Sequence, residues 1–164
     1  MRAVIVAITG GRNISVADAG HVELIVEQLV YEVQPREVIF GGARGVDTVA
    51  LAAAQHHRSH RGGTVRAHHS RLVVIVPDTV SAQPHDAREA IHLYADEVVE
   101  LRRAITSADG WEAYHARNRE MVERADVVLG FWDGNKQSGT GACLAYASRV
   151  GRPLWVETIG GSGR

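Results

Sequence analysis

The sequence predicts an α/β protein with a doubly wound, mainly parallel sheet and helices on both faces. Three observations predict it. Short apolar runs alternate along the chain with stretches whose apolar residues recur at helical spacing. The runs are continuous rather than alternating, as in strands covered on both sides. The residues with special chemistry fall just after these runs, where open parallel sheets bind their ligands.

Each element has a local reason. Residues 4–8 are apolar and end at Thr9-Gly10-Gly11, a strand followed by a loop. Ser15 and Asp18 are spaced like a capping box. Val22, Ile25, Val26, Leu29, Val30 and Val33 then mark a helical face, and Pro35 stops it. Residues 37–40 form the second strand. Val46, Val49, Ala50, Ala53 and Ala54 give the next helical face. Residues 72–76 are the third strand, closed by Pro77-Asp78; residues 87–94 read as a helix and 97–101 as a short strand. Asp109 with Glu112 resembles a cap. Trp111, Tyr114, Asn118, Met121, Val122 and Ala125 follow at helical spacing, with Asn118 the polar exception. Trp111 and Tyr114 are assigned to the core or a dimer contact. Residues 127–132 are a strand, Cys143, Tyr146, Ala147 and Val150 a helical face, and 153–156 a last strand. Residues 1–158 are expected to be one domain and 159–164 a flexible tail.

Composition narrows the function. A chain of 164 residues suits one domain with a sizeable core. A formal net charge of −1 gives no electrostatic footprint for nucleic acid or an anionic membrane, so neither is expected as a partner. No apolar run approaches the roughly 20 residues of a membrane span, and the N-terminus lacks a signal-peptide layout. The one cysteine, Cys143, excludes an intrachain disulfide and suits a reducing compartment, so cytoplasm is the expected location. His56, His57, His60, His68 and His69 gather in one polar stretch with Arg58, Arg61, Arg66 and Arg71. No nearby Cys, Asp or Glu completes a ligand set, so a solvated mobile loop is the favoured reading. No metal and no cofactor are expected.

Three motifs carry chemistry. In Gly41-Gly42-Ala43-Arg44-Gly45-Val46-Asp47 the glycines allow close backbone approach and left-handed conformations. Arg44 offers a fork for a phosphate. Asp47, in the first helical turn, either caps amides or accepts from a ribose hydroxyl. In the second motif, Arg117 and Asn118 lie on a helix with Met121, whose face is largely apolar, so Asn118 is expected to point at the sheet and to need partners. The third is Ser138-Gly139-Thr140-Gly141, a glycine turn opening a helix. Free amides at a positive dipole end suit an anion there. Thr9, Gly10, Gly11 and Arg12 end the first strand at the same sheet edge. Pro77 and Trp132 border it, and Trp132 either stacks on a base or packs the sheet.

Together these blocks resemble the SLOG superfamily, named for the DNA-processing Smf/DprA proteins and the LOG cytokinin-activating enzymes. GGARGVD is similar to its glycine-arginine loop. HARNREM resembles the LOG stretch whose functional arginine falls on Arg117. RADVVLGFWDGNKQSGTGACLAYA resembles the last nucleotide-binding strand, Gly-Thr turn and helix. With ITGGR at the start, the pattern looks closest to the small single-domain YspA-like bacterial and phage branch. The resemblance implies a Rossmann-like fold, a nucleotide-derived ligand and a homodimer.

One departure bears on activity. LOG enzymes carry P-G-G-x-G-T-x-x-E, whose glutamate acts in cleaving an N-glycosidic bond. Aligning on Gly139-Thr140 puts Cys143 at the glutamate position, beside Ala142, and neither a thiol nor a methyl replaces a carboxylate. Asp133, Asp47 and Glu120 remain as carboxylates from elsewhere, and no catalytic residue is assigned. The expected function is binding of a nucleotide or nucleotide-derived molecule, with phosphate on the amides of 42–45 and 138–141, as a sensor or sequestering module. The alternative is a LOG-like phosphoribohydrolase acting on a nucleoside 5′-monophosphate.

Overall fold

The computed structural model describes residues 3–59, 70–106, 108 and 110–160. Their order is β1 (Ile5–Gly10), α1 (Val16–Gln28), β2 (Glu37–Phe40), α2 (Val46–Ser59), β3 (Arg71–Val76), α3 (His85–Tyr94), β4 (Glu97–Glu100), α4 (Gly110–Arg124), β5 (Val127–Trp132), α5 (Gly139–Arg149) and β6 (Leu154–Thr158). The six strands lie in the order β4-β3-β2-β1-β5-β6, and every pairing is parallel. The sheet is thus wholly rather than mainly parallel.

Strand side chains alternate between two cores, which is why the runs read as continuously apolar. Val6, Ile8, Phe40, Val74 and Phe131 face one core, closed by Val22 and Val26 of α1, Ala50 and Ala54 of α2, and Ile91 of α3. Ile5, Ala7, Ile39, Val73 and Val128 face the other, closed by Met121 and Val122 of α4 and by Cys143, Leu144 and Ala147 of α5. The edge strands β4 and β6 are less buried.

Ser15 caps α1 as expected, its hydroxyl accepting from Asp18 N at 3.0 Å. The helix does not run evenly to Pro35. It widens into a single π-helical turn, Leu29–Val33, and ends on Gln34 in the left-handed region at φ 51°. Asp109, the other expected cap, lies outside the described residues, as do His60, His68, His69 and the arginines at 61 and 66. The expected tail begins too early. Ile159 is buried in the first core and its amide donates to Trp132 O at 3.1 Å. The Gly160 amide lies 3.3 Å from both Asp18 carboxylate oxygens, so order continues at least that far.

Candidate functional site

From β1 the sheet grows one way through β2 to β4 and the other way through β5 and β6. The loops after β1 and β5 therefore diverge, leaving a crevice beyond the strand ends at this switch of direction. A cavity of about 770 Å³ occupies it. After β1 it is lined by Thr9, Gly10, Gly11, Arg12 and Asn13, and after β2 by Gly41, Ala43 and Asp47. After β5 it is lined by Asp133, Gln137, Ser138, Gly139 and Thr140. α4 supplies Trp111, Tyr114, His115, Arg117 and Asn118.

The first glycine turn is partly bonded to its own protein. The Ala43 amide donates to Asp47 Oδ2 at 3.1 Å, and Thr48 Oγ1 donates to Ala43 O at 3.0 Å. The Val46 amide donates to Gly11 O at 3.0 Å. Gly42 has φ +68°, and a Cβ there would meet Val76 and Val74 of the core. Gly45 has φ +81°, with its Cβ position against the backbone of Gly11 and Arg12. These glycines let two loops interlock. Neither Gly42 nor Gly45 lines the cavity, and the Ala43 amide is already committed, so the expected phosphate cradle over 42–45 is corrected. Arg44 is also outside. Its Nε lies 3.7 Å from Asp86 Oδ2 across a separate shallow groove, with both side chains about half exposed.

The second turn is built differently. Ser138 caps α5, its Oγ accepting from Gly141 N at 3.0 Å and donating to Asn135 O at 2.7 Å. The Ala142 amide goes to Ser138 O at 3.0 Å. Gly139 and Thr140 open the helix, so their amides have no intrahelical acceptor, and both residues line the cavity. A Cβ on Gly139 would meet nothing within 4 Å. Gly141 does not line the cavity; a Cβ there would sit 2.7 Å from Asn135 O, so it serves the packing of the turn.

Arg117 and Asn118 join the two turns. Arg117 Nη1 donates to Gly41 O at 2.6 Å and its Nε to Asn118 Oδ1 at 2.9 Å. Asn118 Nδ2 reaches Gly139 O at 3.4 Å. The buried Asn thus has the partners it required. A Cβ on Gly41 would lie 2.5 Å from Arg117 Nη1 and 3.0 Å from Asp47 Oδ2, so a side chain there would displace the Arg117 guanidinium from Gly41 O.

Charge in the site is set by burial. Burial pushes Asp47 up to about 6, against the pull of Arg117, the Ala43 amide, Arg12 and the Gly41 amide. Burial also lowers Arg117 from its usual value, opposed mainly by Asp47. Arg12 is exposed at the rim, its guanidinium 4.7 Å from the Tyr114 ring centroid. Arg12 and Arg117 thus face two carboxylates in the cavity lining, the buried Asp47 and the exposed Asp133. The Asp47 shift has a stability consequence. An acid whose folded pKa lies above its unfolded value binds more protons in the native state, so it costs stability as pH rises between the two. From 3.8 to about 6 the cost accumulates to about 3 kcal/mol. In chemical denaturation the protein should lose about this much relative to Asp47→Asn between roughly pH 4 and pH 6, and the difference should then stay flat.

Pro77 and Trp132 do not line the cavity. Pro77 O accepts from Arg103 N at 2.9 Å beyond β3. Trp132 packs on the second core, and its indole donates to Asn135 O at 3.0 Å. Of the carboxylates considered, Asp47 and the exposed Asp133 line the site and Glu120 does not. Cys143 lies behind the wall in the core, its thiol pushed up to about 11 by burial. Sequence reasoning missed Trp111, Tyr114 and His115 as site residues. The signal was the helical face running from Trp111 to Asn118, whose first turns extend past the strand ends and meet the cavity instead of the core. Among the described residues no group of Cys, His, Asp and Glu is arranged to hold a metal, and no helix is long and apolar enough to cross a membrane.

No protein-family model matches the chain, and no curated protein does. Solved structures do resemble it. DNA processing protein A from Helicobacter pylori, described as binding single-stranded DNA, superposes with a TM-score of 0.67 at 21% identity over 93% of this chain. The chain spans 64% of that protein's length. The molybdenum cofactor binding protein of Rippkaea orientalis gives 0.63 at 19% identity, covering 96% of this chain and 78% of its own. The molybdenum cofactor carrier protein of Chlamydomonas reinhardtii gives 0.60 at 16%, covering 94% and 76%. These likenesses are of fold, and they agree with the doubly wound Rossmann-like architecture.

Proposed function

We propose that this chain binds a nucleotide or nucleotide-derived small molecule in the switch-point cavity, as a sensor or sequestering module working as a homodimer. The observation that carries the reading is the convergence of Arg12, Arg117 and the open amides of Gly139 and Thr140 on one cavity of about 770 Å³. That volume lies within the range of small-molecule sites. The helix start and the arginines take the phosphate. Asn118, held between the two turns, positions both. The resemblance of the GGARGVD, HARNREM and SGTG blocks to the SLOG superfamily supports the same reading.

Two other readings have specific support. The fold of DNA processing protein A favours single-stranded DNA, against which stands the net charge of −1. A nucleoside-monophosphate N-glycosidase is favoured by Asp47, a carboxylate in the cavity wall with a raised pKa. Against it, Asp47 Oδ2 is engaged by the Ala43 amide, and the Cys143 thiol is buried and protonated. A thermal-shift panel of nucleotides, cyclic dinucleotides and short single-stranded DNA separates these. A native-state ligand at 100 times its Kd adds about 2.7 kcal/mol to apparent stability. Stabilisation by free nucleotides without release of free base is the expected result. Response to DNA alone, or base release, would replace the reading.

A further inference from the structure

We infer that Trp111, on the first turn of α4, is a stacking platform for a planar heteroaromatic ring, so the cavity takes a phosphate ester of an aromatic heterocycle. The inference rests on the phosphate site proposed above and adds the chemistry of the rest of the ligand. Trp111 lines the cavity, yet it is 58% exposed. The other two tryptophans are committed to the fold. Trp132 donates to Asn135 O at 3.0 Å, and Trp155 donates to Glu157 Oε1 at 2.7 Å. The Trp111 indole N–H has no acceptor among the described residues. Among the described residues its ring contact is with His115, edge to face at 5.3 Å and 80°. An edge-to-face neighbour can steady an indole without stacking on it. Tyr114, one helical turn on, is engaged with Arg12 and Arg117 at 4.7 and 5.7 Å from its centroid. The helix face therefore grades from an open aromatic surface at Trp111, through an arginine-covered ring, to the charged pair Arg117-Asn118. A ligand with a flat ring at one end and a phosphate at the other matches that gradient. Trp132, which the sequence offers as a stacking residue, lies outside the cavity, as does Pro77.

The test is calorimetric titration of the four nucleoside 5′-monophosphates and of ribose 5-phosphate, which lacks the ring. The wild type, Trp111→Ala and Trp111→Phe are compared, with light scattering on each. An exposed side chain of this kind is truncated without loss of folding. Stacking on one base gives a gain of about tenfold. At least one monophosphate should bind the wild type about tenfold tighter than ribose 5-phosphate. Trp111→Ala should erase that gain and leave ribose 5-phosphate unchanged, and Trp111→Phe should keep most of it. Equal binding of ribose 5-phosphate and every monophosphate by the wild type would overturn the platform and leave the phosphate site standing. So would full monophosphate affinity in Trp111→Ala, whether or not its mass changes; a changed mass would mark Trp111 as a contact between copies. Binding of none of these probes would overturn both.

Discussion

Arg117→Ala should weaken binding of a nucleoside 5′-monophosphate by about 100-fold, the usual consequence of removing a desolvated cation from an anion site. It should also cost the unliganded protein about 2 kcal/mol. Both effects come from the same geometry. The guanidinium spends two donors inside the protein, on Gly41 O and Asn118 Oδ1. It is also the largest favourable charge beside Asp47. Without it Asp47 loses its main countercharge, and its pKa should climb above about 6. Arg117→Lys should restore part of the stability by returning the charge. It should restore less of the affinity, because an ammonium cannot hold Gly41 O and Asn118 Oδ1 as the planar fork does. Calorimetry for affinity and urea denaturation for stability measure the two separately. Equal loss in both variants would point to geometry, and equal rescue to charge alone.

Gly45→Ala should destabilise the fold by about 3 kcal/mol or more. A side chain in the left-handed region costs roughly 1–2 kcal/mol, and forcing a methyl into a filled space costs roughly another 1–3. At Gly45 both apply, because φ is +81° and the new Cβ would strike the Gly11 carbonyl and the Arg12 backbone. The loops after β1 and β2 would have to part, straining the Val46 N to Gly11 O bond that closes α2 onto β1. Gly139→Ala is the internal control. Its Cβ enters open space at a helix start, so stability should stay within about 1 kcal/mol of wild type. Denaturant midpoints of the two variants give the comparison directly.

Much of the fold was legible because local pattern and sheet burial agree. The runs at 37–40 and 127–132 became β2 and β5 with unchanged bounds. Both are central strands, and their flanks change character abruptly. β1 runs on to Gly10 because Gly10 pairs with Phe131, a register set by a segment more than a hundred residues away. The site was legible as a place, at the strand ends, and in its second turn and the Arg117-Asn118 pair. The first turn was misjudged for a physical reason. Local spacing shows that a glycine turn offers amides, but not that Asp47 already accepts the Ala43 amide or that Gly42 and Gly45 lie outside the cavity. Arg44 faces Asp86 rather than the cavity, a direction that only the packing of α3 beside α2 decides. The aromatic wall reads from sequence as core or a dimer contact, because helical spacing identifies a face without saying where the sheet beneath it ends.

In the proposed site the open amides of α5 and the Arg117 side hold a ligand phosphate. Titrating a nucleoside 5′-monophosphate and its unphosphorylated nucleoside into wild type and Gly139→Glu tests it most directly. Gly139 tolerates a side chain sterically, and a carboxylate at a helix start is compatible with folding. The substitution therefore removes the anion site without removing the protein. The monophosphate should bind wild type far more tightly than the nucleoside, and Gly139→Glu should melt like wild type yet lose the advantage of the phosphate. Equal affinity for nucleoside and monophosphate, or full monophosphate affinity in folded Gly139→Glu, would contradict it.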